Sequence, residues 1–244
     1  MFGSPSFQFR LFGIQVNVDL FFLVLAVVIG RSIRGSLLLL GFWVAIVFAS
    51  VLLHEMGHAL SARLFGQQPF ISLYGLGGVT VWRVTGEMTA GRRFVIGLAG
   101  PAVGIVIGSI AAIVQFLLPN DTTADTVAGF VVFANLGWGI LNLVPMLPLD
   151  GGKIMEALFD LVAPGRGARG ARYVSIVTAL VVAPLSLAAG LFMMVLYCAL
   201  SIWVNIQELR RPRARPPAPS EAVIDIPAQS VSNDVNQDRD GRIP

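Results

Sequence analysis

Charge is scarce in this chain of 244 residues, and so are cysteine and histidine. Asp, Glu, Lys and Arg together make up 13% of it, where an ordinary soluble domain carries about 25%. Since 55% of the residues are hydrophobic, a water-soluble globule is excluded. The single cysteine, Cys198, lies inside an apolar run and has no intrachain partner, which excludes a disulfide framework and leaves the thiol a packing role. The net charge of +3 does not indicate a nucleic-acid partner, because the arginines sit in loops beside apolar runs and in the C-terminal tail, where membrane orientation accounts for them. A cleavable signal peptide is not expected either. The first apolar run starts after Arg10 and has no small-residue cleavage site followed by a polar domain.

What the chain has is long apolar runs of about the 20 residues needed to cross a bilayer as a helix. They predict an all-α polytopic membrane protein of about six spans in contact with lipid: Leu11 to Gly30, Ser36 to Phe65, Phe94 to Leu118, Val127 to Leu161, Tyr173 to Ala183 and Leu185 to Gln207. Pro145 and Pro148 interrupt the fourth span, and Pro184 is expected to turn the short fifth into the sixth. Residues 1–10 are a separate N-terminal segment, 11–207 the membrane domain, and 208–244 a polar, Pro-rich tail expected to be disordered in the cytoplasm. Positive charge marks the cytoplasmic loops. Arg63, Arg83, Arg92 and Arg93 lie between spans two and three, and Arg166, Arg169 and Arg172 follow span four. Arg210, Arg211, Arg213 and Arg215 open the tail, whereas the loop between spans three and four holds Asp121 and Asp125. Both termini are therefore expected in the cytoplasm; Arg31 and Arg34 run against that orientation for the first span.

The stretch that carries chemistry is His54-Glu55-Met56-Gly57-His58, an H-E-x-x-H motif within an apolar helix. Helical positions four apart share a face, so both imidazoles reach one metal while Glu55 stands beside them to act as a base. Each charged group at the centre of a bilayer costs on the order of 2.5 to 3.5 kcal/mol, so such groups persist only when paired or bound. Histidines satisfied by core hydrogen bonds are the plain alternative.

A catalytic zinc site needs a third protein ligand and one open position. Asp150 is the best candidate, in Asn142-Leu143-Val144-Pro145-Met146-Leu147-Pro148-Leu149-Asp150-Gly151-Gly152, where prolines and glycines break the span. Irregular backbone at membrane depth occurs only where it is buried in protein or lines a wet cavity. The competing reading is that Asp150 merely caps the following helix.

These two motifs, H-E-x-x-H and then N-x-x-P-x-x-x-x-D-G, resemble the signatures of the site-2 protease family of intramembrane zinc metalloproteases. The resemblance also covers Ala99-Gly100-Pro101 and Tyr74-Gly75-Leu76-Gly77-Gly78-Val79, extending over roughly Val16 to Ile206. It implies one Zn2+ held by His54, His58 and Asp150, with Glu55 as catalytic base and Asn142 near the scissile carbonyl. The implied fold is a three-helix catalytic core flanked by gating helices, with the metal nearer the cytoplasmic face. The implied substrate is a transmembrane protein, such as an anti-sigma factor or a membrane-bound transcription factor precursor. The chain departs from larger relatives in having no inserted segment for a PDZ module and a tail too short for paired CBS modules, so a minimal form is expected.

Further features fit that frame. Gly97, Gly100, Gly104 and Gly108 form a small-residue stripe suited to close helix approach in lipid. Phe70 to Arg83 is too short and Gly-interrupted to span and reads either as a β-hairpin dipping toward the site, whose edge would accept substrate as an added strand, or as a plain loop. Asn17 and Asp19 read as interface or capping residues. A metal-binding transporter and an inactive membrane scaffold are the rival functions; neither explains the acid held between the histidines.

The arginine distribution makes a direct prediction of topology. In a Cys198→Ser background, single cysteines placed at Arg92 and at Asp121 should label from opposite sides of the membrane. Labelling of both from one side overturns the six-span reading.

Overall fold

The computed structural model describes residues 5–31, 36–75 and 77–211. Arg34, Leu76 and the tail from Pro212 onward lie outside the described residues. The chain divides into one unit of Met1–Leu209 and a second of Arg210–Pro244, of which only Arg210 and Arg211 are described.

The first apolar run does not form the expected span. Ser6–Leu11 is strand β1 and Ile14–Asp19 is strand β2, paired antiparallel. Phe12 and Gly13 join them with positive φ at both positions, as a two-residue hairpin turn requires. In β2 the buried side chains Ile14, Val16 and Val18 alternate with Gln15, Asn17 and Asp19, so the period of two overrides the apolar composition. Asp19 ends the strand and caps helix α1, Leu20–Gly30, by accepting from the Phe21 amide at 2.8 Å. With 11 residues, α1 is about 16 Å long, short of the roughly 30 Å hydrocarbon core.

Among the described residues five other helical stretches are long and apolar enough to cross: α2 Leu37–Leu64, α3 Ala90–Leu117, the combined stretch Thr123–Asn142, α7 Gly167–Ala188 and α8 Phe192–Arg210. The stretch Thr123–Asn142 is helix α4 (Thr123–Val132), a π-helical turn (Phe133–Gly137) and helix α5 (Trp138–Asn142). The expected fourth span is cut after Asn142 by the proline-bearing segment 143–149. The chain then restarts as a separate short helix, α6, Asp150–Val162. Pro184, expected to turn the chain, lies inside α7. Within a packed membrane helix the missing N–H is tolerated, and the turn comes at Ala189–Gly190, where Gly190 takes a φ of +73°.

The hairpin is present and belongs to a larger sheet. Strands β3 (Gln68–Tyr74) and β4 (Gly77–Arg83) pair antiparallel, and β3 also pairs in parallel with β2, giving the order β1-β2-β3-β4. Ile14, Val16, Val18, Ile71 and Leu73 pack against Val51, Leu52, Met56 and Ala59 of α2, so the sheet rests on the helix that carries both histidines.

The glycine stripe of α3 makes three separate close approaches. A side chain at Gly97 would press Ile154 of α6, one at Gly104 would meet the Asn135 carbonyl at 3.0 Å, and one at Gly108 would collide with the Leu136 amide in the π-turn. Segment 143–149 is held from the other side by hydroxyls. Ser175 of α7 accepts from the Leu147 amide at 2.8 Å while donating to the Ala171 carbonyl, and Ser201 of α8 donates to the Leu147 carbonyl at 2.6 Å. Cys198 is buried against Met146 in the same contact, in keeping with a packing role.

Leaving a buried backbone polar group unpaired costs about 1–3 kcal/mol. Ser175→Ala combined with Ser201→Ala should therefore lower the melting temperature in detergent, and should loosen Asp150 enough to reduce bound zinc. An unchanged melting temperature and zinc content would remove the hydroxyl clamp from this account.

Candidate metal centre

Each member of the cluster is placed by a different local device. His54 and His58 lie one turn apart on the buried face of α2, their rings 4.9 Å apart at 78°. His58 Nδ1 is 2.6 Å from the Ile96 carbonyl oxygen on α3. That oxygen only accepts, so Nδ1 carries the proton and Nε2 of the neutral ring keeps its lone pair. Room for the ring comes from Gly100, where a Cβ would collide with His58 Nε2, and from Gly57, where one would stand 2.7 Å from the Ala99 carbonyl oxygen. The Ala99-Gly100-Pro101 segment is thus the surface on which the histidine helix rests.

Asp150 arrives from the far side of the broken span. It is the first residue of α6, preceded by Leu149, and no side chain caps that helix. Its Oδ2 lies 3.0 Å from both His54 Nε2 and His58 Nε2, the ring nitrogens are 3.3 Å apart, and Oδ1 accepts from Lys153 Nζ at 3.1 Å. The carboxylate is therefore directed at the histidines and does not cap its helix. Gly151 and Gly152 let α6 start against segment 143–149, since side chains there would strike the Leu143 and Val144 carbonyls and the Leu147 amide.

The residues fit a zinc ion. Nε2 of a neutral His58 and Oδ2 of Asp150 face each other with lone pairs at 3.0 Å, an approach made favourable only by a cation or an added proton between them. Two imidazoles and one carboxylate, with ligand atoms within 4.8 Å of one another, are a donor set typical of zinc with one position open.

Beside the cluster is a cavity of about 160 Å³ bounded by Glu55, His58, Thr80, Trp82, Lys153 and Glu156 among others. Glu55 is buried, and its Oε2 accepts from Thr80 Oγ1 of β4 at 2.7 Å. Arg93 closes one end through ion pairs to Glu156 at 3.3 Å and Asp160 at 2.6 Å. This arginine, counted above as an orientation signal, also ties α3 to α6. Asn142 is buried, but its amide nitrogen donates to the Trp138 carbonyl at 3.0 Å, and it is not part of the cavity wall. Lys153 and Thr80 escaped the sequence reading. The i,i+3 spacing of Lys153 from Asp150 was a visible signal, whereas Thr80 meets Glu55 only through the packing of β4 on α2.

The description Peptidase family M50 matches residues 119–185. A zinc metalloprotease of Methanocaldococcus jannaschii is 32% identical over 154 residues, 62% of this chain and 44% of its own length. The stage IV sporulation protein FB of Bacillus subtilis is 30% identical over 116 residues, 47% of this chain and 39% of its own length. The solved structure of a site-2 protease from Methanocaldococcus jannaschii superposes with a TM-score of 0.58 and 25% identity, covering 87% of this chain and 99% of that one. The chain is thus similar to Peptidase family M50, to zinc metalloproteases and, in fold, to a site-2 protease. It spans less than half the length of these two curated relatives. The likeness agrees with the five long apolar helices among the described residues, which suit an integral membrane protein, and zinc is the metal of the metalloproteases that it matches.

The Gly100 contact is testable. Gly100→Ala should displace the His58 ring and lower zinc content about tenfold or more, the scale of losses when a ligand's support is disturbed. Gly91→Ala, where a Cβ meets nothing within 4 Å, should leave zinc unchanged. Equal zinc in both variants, measured by atomic emission, would contradict the packing described.

Proposed function

We propose that the chain is an intramembrane zinc endopeptidase that hydrolyses peptide bonds within or beside transmembrane helices of membrane-tethered proteins. The supporting observation is the convergence of His54 Nε2, His58 Nε2 and Asp150 Oδ2 at 3.0–3.3 Å, with buried Glu55 alongside and a cavity at its carboxylate. His54, His58 and Asp150 would hold the metal. Bound there, zinc supplies Lewis acidity toward the scissile carbonyl.

The chain's own groups do the rest. Glu55 takes a proton from the attacking water and returns it to the leaving amine, work worth about 10²–10⁴-fold in rate. Asn142 stabilises the developing oxyanion once its amide turns away from the Trp138 carbonyl, a contribution of about 2.7–4 kcal/mol in sites of this kind. A substrate helix must unwind before its carbonyl is reachable, because its backbone is internally hydrogen-bonded. Strand β4 ends the sheet order, and its outer edge offers backbone partners to an unwound segment. His58 lies six residues from the Arg63-bearing end of α2 at Leu64, so the chemistry sits about 9 Å from that end. With Arg63, Arg83, Arg92 and Arg93 read as cytoplasmic, that end of α2 and the chemistry beside it lie near the cytoplasmic face; five crossings would then leave the two termini on opposite sides. Regulated proteolysis of an anti-sigma factor or a membrane-bound transcription factor precursor is the role this arrangement suits.

An ion-conducting or metal-transporting role is the competing class for intramembrane His and Asp. It assigns no task to Glu55.

Two variants separate the assigned roles. Glu55→Gln should retain zinc and lose turnover of a transmembrane peptide substrate by about 10²-fold or more. Asp150→Asn, which removes no helix cap, should lose both zinc and turnover. Normal zinc and normal cleavage in Asp150→Asn would exclude Asp150 as the third ligand.

A further inference from the structure

Glu55 is on α2, yet its carboxylate is positioned by β4. Period-two alternation puts Gly78, Thr80 and Trp82 on one face of that strand, and Thr80 and Trp82 of this face border the cavity. Two contacts from the face restrain Glu55 independently. Thr80 Oγ1 lies 2.7 Å from Glu55 Oε2 and 3.0 Å from the Glu55 backbone carbonyl. A hydroxyl has one proton, and the ionised carboxylate is the stronger acceptor of the two. At Gly78 a Cβ would stand 2.5 Å from Glu55 Cγ and 3.0 Å from Cδ, so the bare strand backbone lies against the shaft of the side chain.

We infer that Thr80 is a positioning residue for the general base: its hydroxyl fixes one Glu55 carboxylate oxygen, leaving the other to move the proton. The inference rests on the reading of Glu55 as the base. A Glu side chain has three rotatable torsions, and a base misplaced by about 1 Å forfeits on the order of 10²-fold in rate. The α2 helix fixes only the Cβ, so the remaining order must come from outside the helix. Thr80 suits this task because a β-branched side chain in a strand has few χ1 choices, which passes the rigidity of the sheet to the carboxylate. Since the Thr80 side chain faces α2, a substrate pairing with the β4 backbone edge does not compete for its hydroxyl.

The test uses the full-length protein in detergent with zinc loaded, a synthetic transmembrane peptide with a helix-breaking centre as substrate, and the variants Thr80→Val, Thr80→Ser and Glu55→Gln. Thr80→Val keeps the shape and removes the hydroxyl. It should lower kcat about 10- to 100-fold with zinc content and KM unchanged, and Thr80→Ser should recover most of the loss. Wild-type kcat in Thr80→Val overturns the inference while leaving the endopeptidase reading intact. A Thr80→Val variant that loses zinc, or a Thr80→Ser variant as slow as Thr80→Val, also overturns it by making Thr80 a packing residue. Cleavage by Glu55→Gln at the wild-type rate, or none by the zinc-loaded wild type, sinks the reading of the base and the inference together.

Discussion

Two imidazoles and a carboxylate meeting at 3.0–3.3 Å inside a bundle of apolar helices is the contact on which the rest of the structure depends. Lipid offers no water to satisfy these groups, so they are tolerable only in one another's company or around a metal. The meeting requires α2, α3 and α6 to approach within the width of a ring. Glycines at 57, 97 and 100 permit that approach, while the Ile96 carbonyl selects the tautomer that leaves His58 Nε2 free. The stripe on α3 therefore serves more than helix association, since one of its members is the seat of a proposed metal ligand.

Bringing Asp150 to that meeting obliges the chain to leave helical geometry at depth. Helix α5 ends at Asn142 and α6 starts at Asp150; the seven residues between them carry backbone groups that a helix would have satisfied. At Leu147 the solution is external: Ser175 and Ser201 take its amide and carbonyl. Helices α7 and α8 thus act on the site without contributing a ligand. Leu147 lies three residues before Asp150, so both flanking helices hold the segment that delivers the carboxylate.

The sheet adds a second kind of order. It packs Ile71 and Leu73 of β3, with Ile14, Val16 and Val18 of β2, on the histidine helix, and β4 brings Gly78 and Thr80 to Glu55. The candidate metal ligands are thus brought together by helices, whereas the acid beside them is held by a strand. The proposed chemistry suits this separation, because ligands must be rigid while a base keeps one oxygen free.

Local spacing was sufficient to read which side chains converge. His54 and His58 share a face because a helix repeats every 3.6 residues, and the break that frees Asp150 was visible in Pro145, Pro148, Gly151 and Gly152. Asp19 as a cap and Phe70 to Arg83 as a hairpin were each one of two readings the sequence left open, and the structure selects them. The run Leu11 to Gly30 misled because apolar composition outweighed the alternation in Ile14, Val16 and Val18. Only pairing with β3, about 55 residues away in sequence, makes that segment a strand. Pro184 misled because the rule that proline ends a helix assumes water as the alternative. Sequence alone determined which residue types can bind a metal and move a proton, since these follow from side-chain chemistry and near-neighbour geometry. Tertiary structure alone decided that Thr80 meets Glu55, that Gly100 makes room for His58 and that Ser175 and Ser201 hold Leu147, because each joins segments whose separation no periodicity records.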